Sequence, residues 1–267
     1  PMYGLQLAFK NFRAVDGITG SPWVSPLLKH FERFFDSPYF TRLLSNTLSI
    51  SVLQLVFGFP VPILLALMLN EVGSLKYKKV VQNITYAPYF LSTVVVVGLI
   101  RSFTNPQYGI FNVLLKSVGS ESINFMLLPK WFLPLYIGSY VWQSAGWNSI
   151  IYIAALSGID PQLIESAQMD GANRLQRIWH INLPGILPTI VILLILNVGS
   201  IMNVGFEKAF LMQNDMNVAV SDIISVYSYK IGIQGAQYSY ATAIGLFNSA
   251  VNCVLLLIIN NISRRLS

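Results

Sequence analysis

DPQLIESAQMDGANRLQRIWHINLP, residues Asp160–Pro184, is the stretch on which the fold turns. It is polar, yet it lies between two apolar runs, each long enough to cross a bilayer. Its pattern predicts a short helix, a glycine turn and a second short helix. Asp160 is placed to cap the first helix, and Pro161 suits its first position. Leu163, Ile164 and Ala167 share one face, with Glu165 and Gln168 beside it. Gly171 permits the turn because it has no Cβ. Leu175, Ile178 and Trp179 restart an apolar stripe, and Pro184 and Pro188 open the next run. An ordered, amphipathic loop between membrane spans points to a docking element.

Composition agrees with a membrane setting. Of 267 residues, 54% are hydrophobic and only 10% are charged, where a soluble domain carries about 25%. Cys253 is the one cysteine and lies in an apolar run, which excludes an intrachain disulfide and a thiolate metal cluster. His30 and His180 are far apart in sequence, which argues against a zinc site. The net charge of +6 is modest and points to anionic lipid head groups rather than nucleic acid.

Working outward, the chain reads as an all-α integral membrane protein with about five transmembrane helices. They are expected at roughly 43–70, 80–103, 131–156, 185–206 and 238–262. Pro60, Pro62, Pro88 and Pro134 interrupt them, as is common in transporters. Residues 1–42 form an extracytoplasmic segment. Within it Leu27, Leu28, Phe31, Phe34 and Phe35 make one face of an amphipathic helix, either interfacial or simply packed. Residues 43–262 form the membrane domain, with its central loop at 157–184 and a tail at 263–267. Segments 104–130 and 207–237 are placed outside. The first carries an apolar stripe at Ile110, Phe111, Leu114, Leu115 and Val118 that predicts a surface helix.

Orientation follows from basic residues in short loops. Lys76, Lys78 and Lys79, then Arg174 and Arg177, then Arg264 and Arg265 fall on one side by parity, so that side is cytoplasmic. More Lys and Arg lie elsewhere, but mainly in long, partly folded segments where the rule loses force. The N-terminus of this chain is thus expected outside and its C-terminus in the cytoplasm. The first residue is Pro, and no signal peptide is visible. A start outside then predicts a sixth span upstream.

The catalytic inventory is thin. There is no Walker A sequence, nucleophile elbow, HExxH or dinucleotide fingerprint. Carboxylates are essentially absent from the spans, which speaks against a proton relay. Uphill movement of a solute would need energy from a partner. Amides do occur in the apolar runs, at Asn46, Gln54, Gln143, Asn148, Asn197, Asn203, Asn248 and Asn252. Helix–helix hydrogen bonding accounts for any one of them equally well. The third span is denser, with Tyr140, Trp142, Gln143, Trp147, Asn148 and Tyr152. Aromatic faces beside amides suit a sugar, and aromatics also serve as plain interface anchors. The candidate substrate pathway is Trp142, Gln143, Trp147, Asn148, Tyr152, Asn197, Asn203 and Asn248, with Tyr86, Tyr89, Glu207 and Tyr240 as outliers.

The central loop also carries a resemblance. Glu165-Ser-Ala167, three residues, Gly171, nine residues, Ile181, one residue, Leu183-Pro184 resembles the EAA loop of permease subunits in binding-protein-dependent ABC importers. Asp170-Gly171-Ala172 matches its most constant core; Ser166 replaces the usual Ala. Pro22-Trp23-Val24, the Phe31 to Phe35 helix and Asn46-Thr47-Leu48 are similar to sugar permeases. Residues 1–10 and Pro88–Thr93 resemble the branch that imports acidic or complex polysaccharide fragments, such as alginate and aldouronate.

The resemblance implies an ABC importer permease fold in a bacterial cytoplasmic (inner) membrane. It implies two ATPase subunits that bind ATP and Mg, a second permease (in this branch usually a different chain), and an extracytoplasmic solute-binding protein. This chain would be no enzyme and would bind no cofactor itself. The coupling set would be Glu165, Ala167, Asp170, Gly171, Ala172, Arg174, Leu183 and Pro184. Glu165 would meet basic ATPase residues, and Leu175, Ile178 and Trp179 would anchor the loop to its own spans. Two other classes compete: a membrane-embedded enzyme using Glu165, Asp170 and His180, and a secondary transporter, which the lack of buried charge and of any repeat opposes.

Overall fold

Proline placement and apolar run length set where these helices begin, bend and end. The computed structural model describes residues 2–266, with side chains as far as residue 261. The described residues are helical apart from turns and two isolated β-bridges. A 3-10 helix at Met2–Phe9 is followed by α1 (Lys29–Phe35), α2 (Phe40–Asn70), α3 (Leu75–Phe90) and α4 (Thr93–Phe103). Then come α5 (Ile110–Ser117), α6 (Pro129–Leu156), α7 (Pro161–Met169) and α8 (Arg174–Gly199). The chain closes with α9 (Phe206–Met212), α10 (Ile224–Tyr229, extended by a π turn to Gln234) and α11 (Tyr238–Leu266).

The expectation of five spans is corrected. Three helices, α2, α8 and α11, are long and apolar enough to cross a membrane. A fourth counts only if α3 and α4, bent by 102°, are one broken span. The residue before the bend explains it. Pro88 has no N–H to continue the helix, Leu91 is extended, and Ser92 caps α4 by accepting from the Val95 N–H. Helix α6 has 28 residues, but Ser139, Tyr140, Gln143, Ser144, Asn148 and Ser149 make it too polar to count. Helix α8 ends at Gly199, short of the expected 206. Helix α11 runs on through most of the expected tail. The side chains of Arg264 and Arg265, and all of Ser267, lie outside the described residues.

Three apolar clusters hold the helices. One joins Ile50 of α2, Val96, Val97 and Ile100 of α4, Phe132 and Tyr136 of α6, and Ala209 and Met212 of α9. A second joins Phe34 of α1 with Leu43, Met202, Ile224, Tyr240 and Ile244. Phe34 is fully buried and lies edge-on to Phe247 at 5.5 Å, so α1 is a packed helix. A third joins Ile63, Ala66 and Leu67 of α2 with Tyr152 and Leu156 of α6 and Ile186 of α8. Helix α6 thus runs through the middle of the bundle. It approaches α3 so closely at Gly146 that a Cβ there would lie 2.0 Å from the Thr85 carbonyl oxygen. The surface helix expected near 110–118 is present as α5, tied down by Asn112, which donates to Thr104, Asn105 and Ile123 carbonyls.

Candidate coupling loop and translocation cavity

The loop between α6 and α8 is built by its own local bonds. Asp160 caps α7 by accepting from the Gln162 N–H at 3.0 Å. At the other end Gly171 has φ +82°, the left-handed region that favours glycine. Its N–H donates to the Gln168 carbonyl, and the Ala172 N–H donates to the Ala167 carbonyl. These two bonds close a Schellman motif. Asn173 and Gln176 then form a reciprocal capping box that starts α8.

Glu165, Asp170 and Arg174 are exposed, and Ala167 and Ala172 are half-buried at the turn. Glu165 enters neither of the two ion pairs formed among the described residues. Leu183 packs against the third apolar cluster, and Pro184 is exposed. Of the expected apolar anchors only Ile178 packs inward. Leu175 and Trp179 are 76% and 67% exposed, and Met169 is 87% exposed. These side chains are outward contacts, because the second helix turns that part of its stripe away from the bundle.

The anchor is polar instead. Arg177 forms a 2.6 Å ion pair with Glu71, at the end of α2. Asn182 donates to the other Glu71 oxygen at 3.1 Å, and Arg177 donates to the Ala172 carbonyl at 3.2 Å. Both charged side chains are nearly buried. In the sequence Glu71 is a lone carboxylate closing an apolar run, the one sign that could have picked it out.

A cavity of about 590 Å³ opens within the bundle. Gln54, Phe59 and Pro62 of α2 line one side. Tyr136, Tyr140, Gln143, Asn148 and Tyr152 of α6 line another, joined by Asn197 of α8 and Ser200 just beyond its end. Asn203, Glu207 and Lys208 complete the wall. The cavity therefore brings together Gln143, Asn148, Tyr152, Asn197 and Asn203 of the candidate pathway, with Glu207 from the outliers. Gln143 also donates to the Leu91 carbonyl at the α3–α4 bend, at 3.0 Å.

Trp142, Trp147 and Asn248 are not part of the lining. Asn248 supports it from behind, donating to Asn203 Oδ1 at 3.2 Å alongside Asn252. Trp142 is half-exposed. Trp147 is stacked on Tyr89, ring centroids 4.7 Å apart and planes 5° off parallel, with Phe90 edge-on. Trp147→Ala is expected to lower the melting temperature of the purified permease while leaving substrate KM within about twofold; stacked pairs contribute about 0.5–1.5 kcal/mol beyond area. A large KM rise with unchanged melting would give Trp147 a substrate contact instead.

Lys208 and Tyr136 escape a sequence reading. Residues 207–212 read as part of an outside loop, whereas Phe206–Met212 form α9, which packs Ala209 and Met212 into the core. Lys208 is buried, and its ammonium lies 5.5 Å from the Tyr136 ring centre. Burial lowers its pKa to about 8. Tyr136 lines the cavity and donates its hydroxyl to the Gly205 carbonyl at 3.1 Å.

The profile of the family described as "Binding-protein-dependent transport system inner membrane component" matches residues 47–267. The chain belongs to this family. It is a transport permease of ABC importers, as the EAA-like loop implied, and not an enzyme of the membrane surface. This permease is 46% identical to the polygalacturonan/rhamnogalacturonan transport system permease protein YteP of Bacillus subtilis, over 99% of this chain and 82% of YteP. It is 42% identical to protein LplB of the same organism, over 99% and 83% of the two chains. Among solved structures, it superposes on a chain of a bacterial ABC transporter involved in import of the acidic polysaccharide alginate. The TM-score is 0.92 at 46% identity, covering all of this chain and 89% of that one. A methionine ABC transporter matches at TM-score 0.54 and 16% identity, which speaks for the shared fold alone.

Proposed function

We propose that this permease moves an acidic oligosaccharide, alginate-like or galacturonan-like, from a solute-binding protein into the cytoplasm. Two ATPase subunits, which bind ATP and Mg, and a second permease chain complete the transporter. One observation carries the reading: α2 holds both the loop anchor, Glu71, and part of the cavity wall, Gln54, Phe59 and Pro62. A push on the loop therefore reaches the cavity through one continuous helix. The loop presents Glu165, Met169, Leu175 and Trp179 to a partner, a carboxylate among apolar contacts. The acidic cargo is supported by the relatives, one named for polygalacturonan and one described as importing alginate.

The basic loops at Lys76–Lys79 and Arg174–Arg177 put the coupling loop in the cytoplasm and residues 1–42 outside. Helix α6, about 42 Å long at 1.5 Å per residue, keeps polar side chains toward the cavity. ATP-driven closure of the ATPases pulls the loop, and the helices rock between two states with different affinity for sugar and binding protein.

The test is Glu165→Ala in the reconstituted transporter. The expected result is uptake falling at least about tenfold per ATP hydrolysed, as for loss of a charge-assisted contact. The permease itself should melt as before, because Glu165 is exposed and outside both ion pairs. A wild-type ratio of uptake to hydrolysis would remove Glu165 from the coupling contact.

A further inference from the structure

The cavity wall contains a cation that nothing among the described residues pairs with. Lys208 is 6% exposed, and its Nζ has neither a hydrogen-bond partner nor an ion pair among the described residues. We propose that Lys208 is the carboxylate-recognition site of this cavity, taking a uronate carboxyl of the passing oligosaccharide. The inference rests on the acidic-cargo reading above and assigns it a residue.

An unpaired buried ammonium is a costly arrangement. Lysine amines in folded proteins are normally in water or paired, and this one is neither. Glu207, the neighbouring carboxylate, does not neutralise it. Adjacent positions on a helix do not face each other, and Glu207 is exposed while Lys208 is buried. The Tyr136 face, 5.5 Å away, offers a weak cation–π contact and no acceptor in line with the amine.

The place is also suited to a sugar acid. Tyr136, Gly205 and Lys208 all line the cavity, and the ring of Tyr136 lies beside the amine. The backbone under Lys208 is fixed: Tyr136 bonds to Gly205, and Ala209 and Met212 are fully buried in the core. The Lys208 stem is flexible, and no bond holds Nζ behind the cavity surface. A carboxylate in the cavity would therefore meet an ammonium that has no hydrogen bond to break. Asn203, Gln54 and Asn148, which also line the cavity, supply amides for the hydroxyl rim. A neutral sugar would leave the cation unpaired; a uronate removes that penalty, so the cavity discriminates by charge.

The experiment uses the complete transporter in proteoliposomes, with trigalacturonate as probe and its carboxyl-reduced trimer as the neutral arm. Lys208→Met is expected to assemble with the ATPases and to melt no lower than wild type, because an unpartnered charge has been removed. Trigalacturonate uptake at limiting concentration should fall at least about tenfold. Lys208→Arg, which keeps the cation, should restore most of it. Wild-type uptake in Lys208→Met overturns the proposal, and so does a lower melting temperature, which would mean that the amine has a structural partner. If the wild-type transporter takes up the reduced trimer and ignores trigalacturonate, the acidic-cargo reading fails and Lys208 with it. If wild type and Lys208→Met take up trigalacturonate alike, only the assignment of Lys208 fails.

Discussion

Replacing Gly171 by proline is expected to abolish copurification of the ATPase subunits with this permease, whereas Gly171→Asn should preserve it. Gly171 has φ +82°, and proline is locked near −65°. The Gly171 N–H donates to the Gln168 carbonyl, a bond that proline cannot make. Both bonds of the Schellman motif depend on that turn, so the end of α7 and the approach to α8 come apart together. The cost is on the order of 3 kcal/mol, and it falls on the turn that presents Glu165, away from the anchor at Arg177. Asparagine enters the left-handed region with its N–H intact and serves as the control. The measurement is affinity purification through a tag on this chain, with ATPase recovery per permease as the readout. Full recovery with proline would mean that the loop is not the docking element.

The second large effect lies at the anchor. Glu71→Ala strands Arg177 nearly buried and without its ion pair, and removal of one partner of a buried pair costs roughly 3–5 kcal/mol. Asn182 loses its acceptor at the same time. A lower melting temperature and a loss of ATP-driven uptake are both expected. Stability alone does not separate packing from coupling, so the double variant Glu71→Met with Arg177→Met is the decisive arm. Apolar replacement of both partners is often neutral or stabilising. The double variant should recover the melting temperature but not the uptake per ATP, because the polar tie between loop and α2 stays cut. Recovery of both would reduce the pair to a structural contact.

Much of this was legible from local pattern. The capped helix, glycine turn and second helix of 160–184 need only neighbouring residues, and Asp160 and Gly171 perform the expected local tasks. Amides in apolar runs pointed to the cavity, and five pathway residues named from sequence do line it. What failed depended on distant partners. Trp147 faces Tyr89, contributed by α3, rather than the cavity, and no spacing within α6 reveals that. Trp179 has the periodicity of an inward residue, yet a π turn at Ile178–Asn182 begins just before it and its helix face turns outward. The span count erred for a related reason. Run length ignores polarity on one face, and α6 keeps its polar face toward the cavity. Glu71 and Lys208 needed the fold itself, since each acquires meaning from a residue far along the chain.

The π turn at Gln54–Gly58 has a consequence for chain length. It holds one residue more than the α-helical turn it replaces, and Pro60, which lacks the N–H of a regular ladder, follows at once. Each added or removed residue rotates the rest of a helix by about 100°. Deleting a single apolar residue here, Leu55 for example, would leave composition almost untouched. Because the turn already holds one extra residue, the deletion would turn it into a regular α-helical turn and keep Phe59 and Pro62 on the cavity wall and Glu71 beside Arg177. A one-residue gap at this point is thus absorbed, whereas the same gap in the regular turns of Pro60–Asn70 would swing Glu71 about 100° away from Arg177.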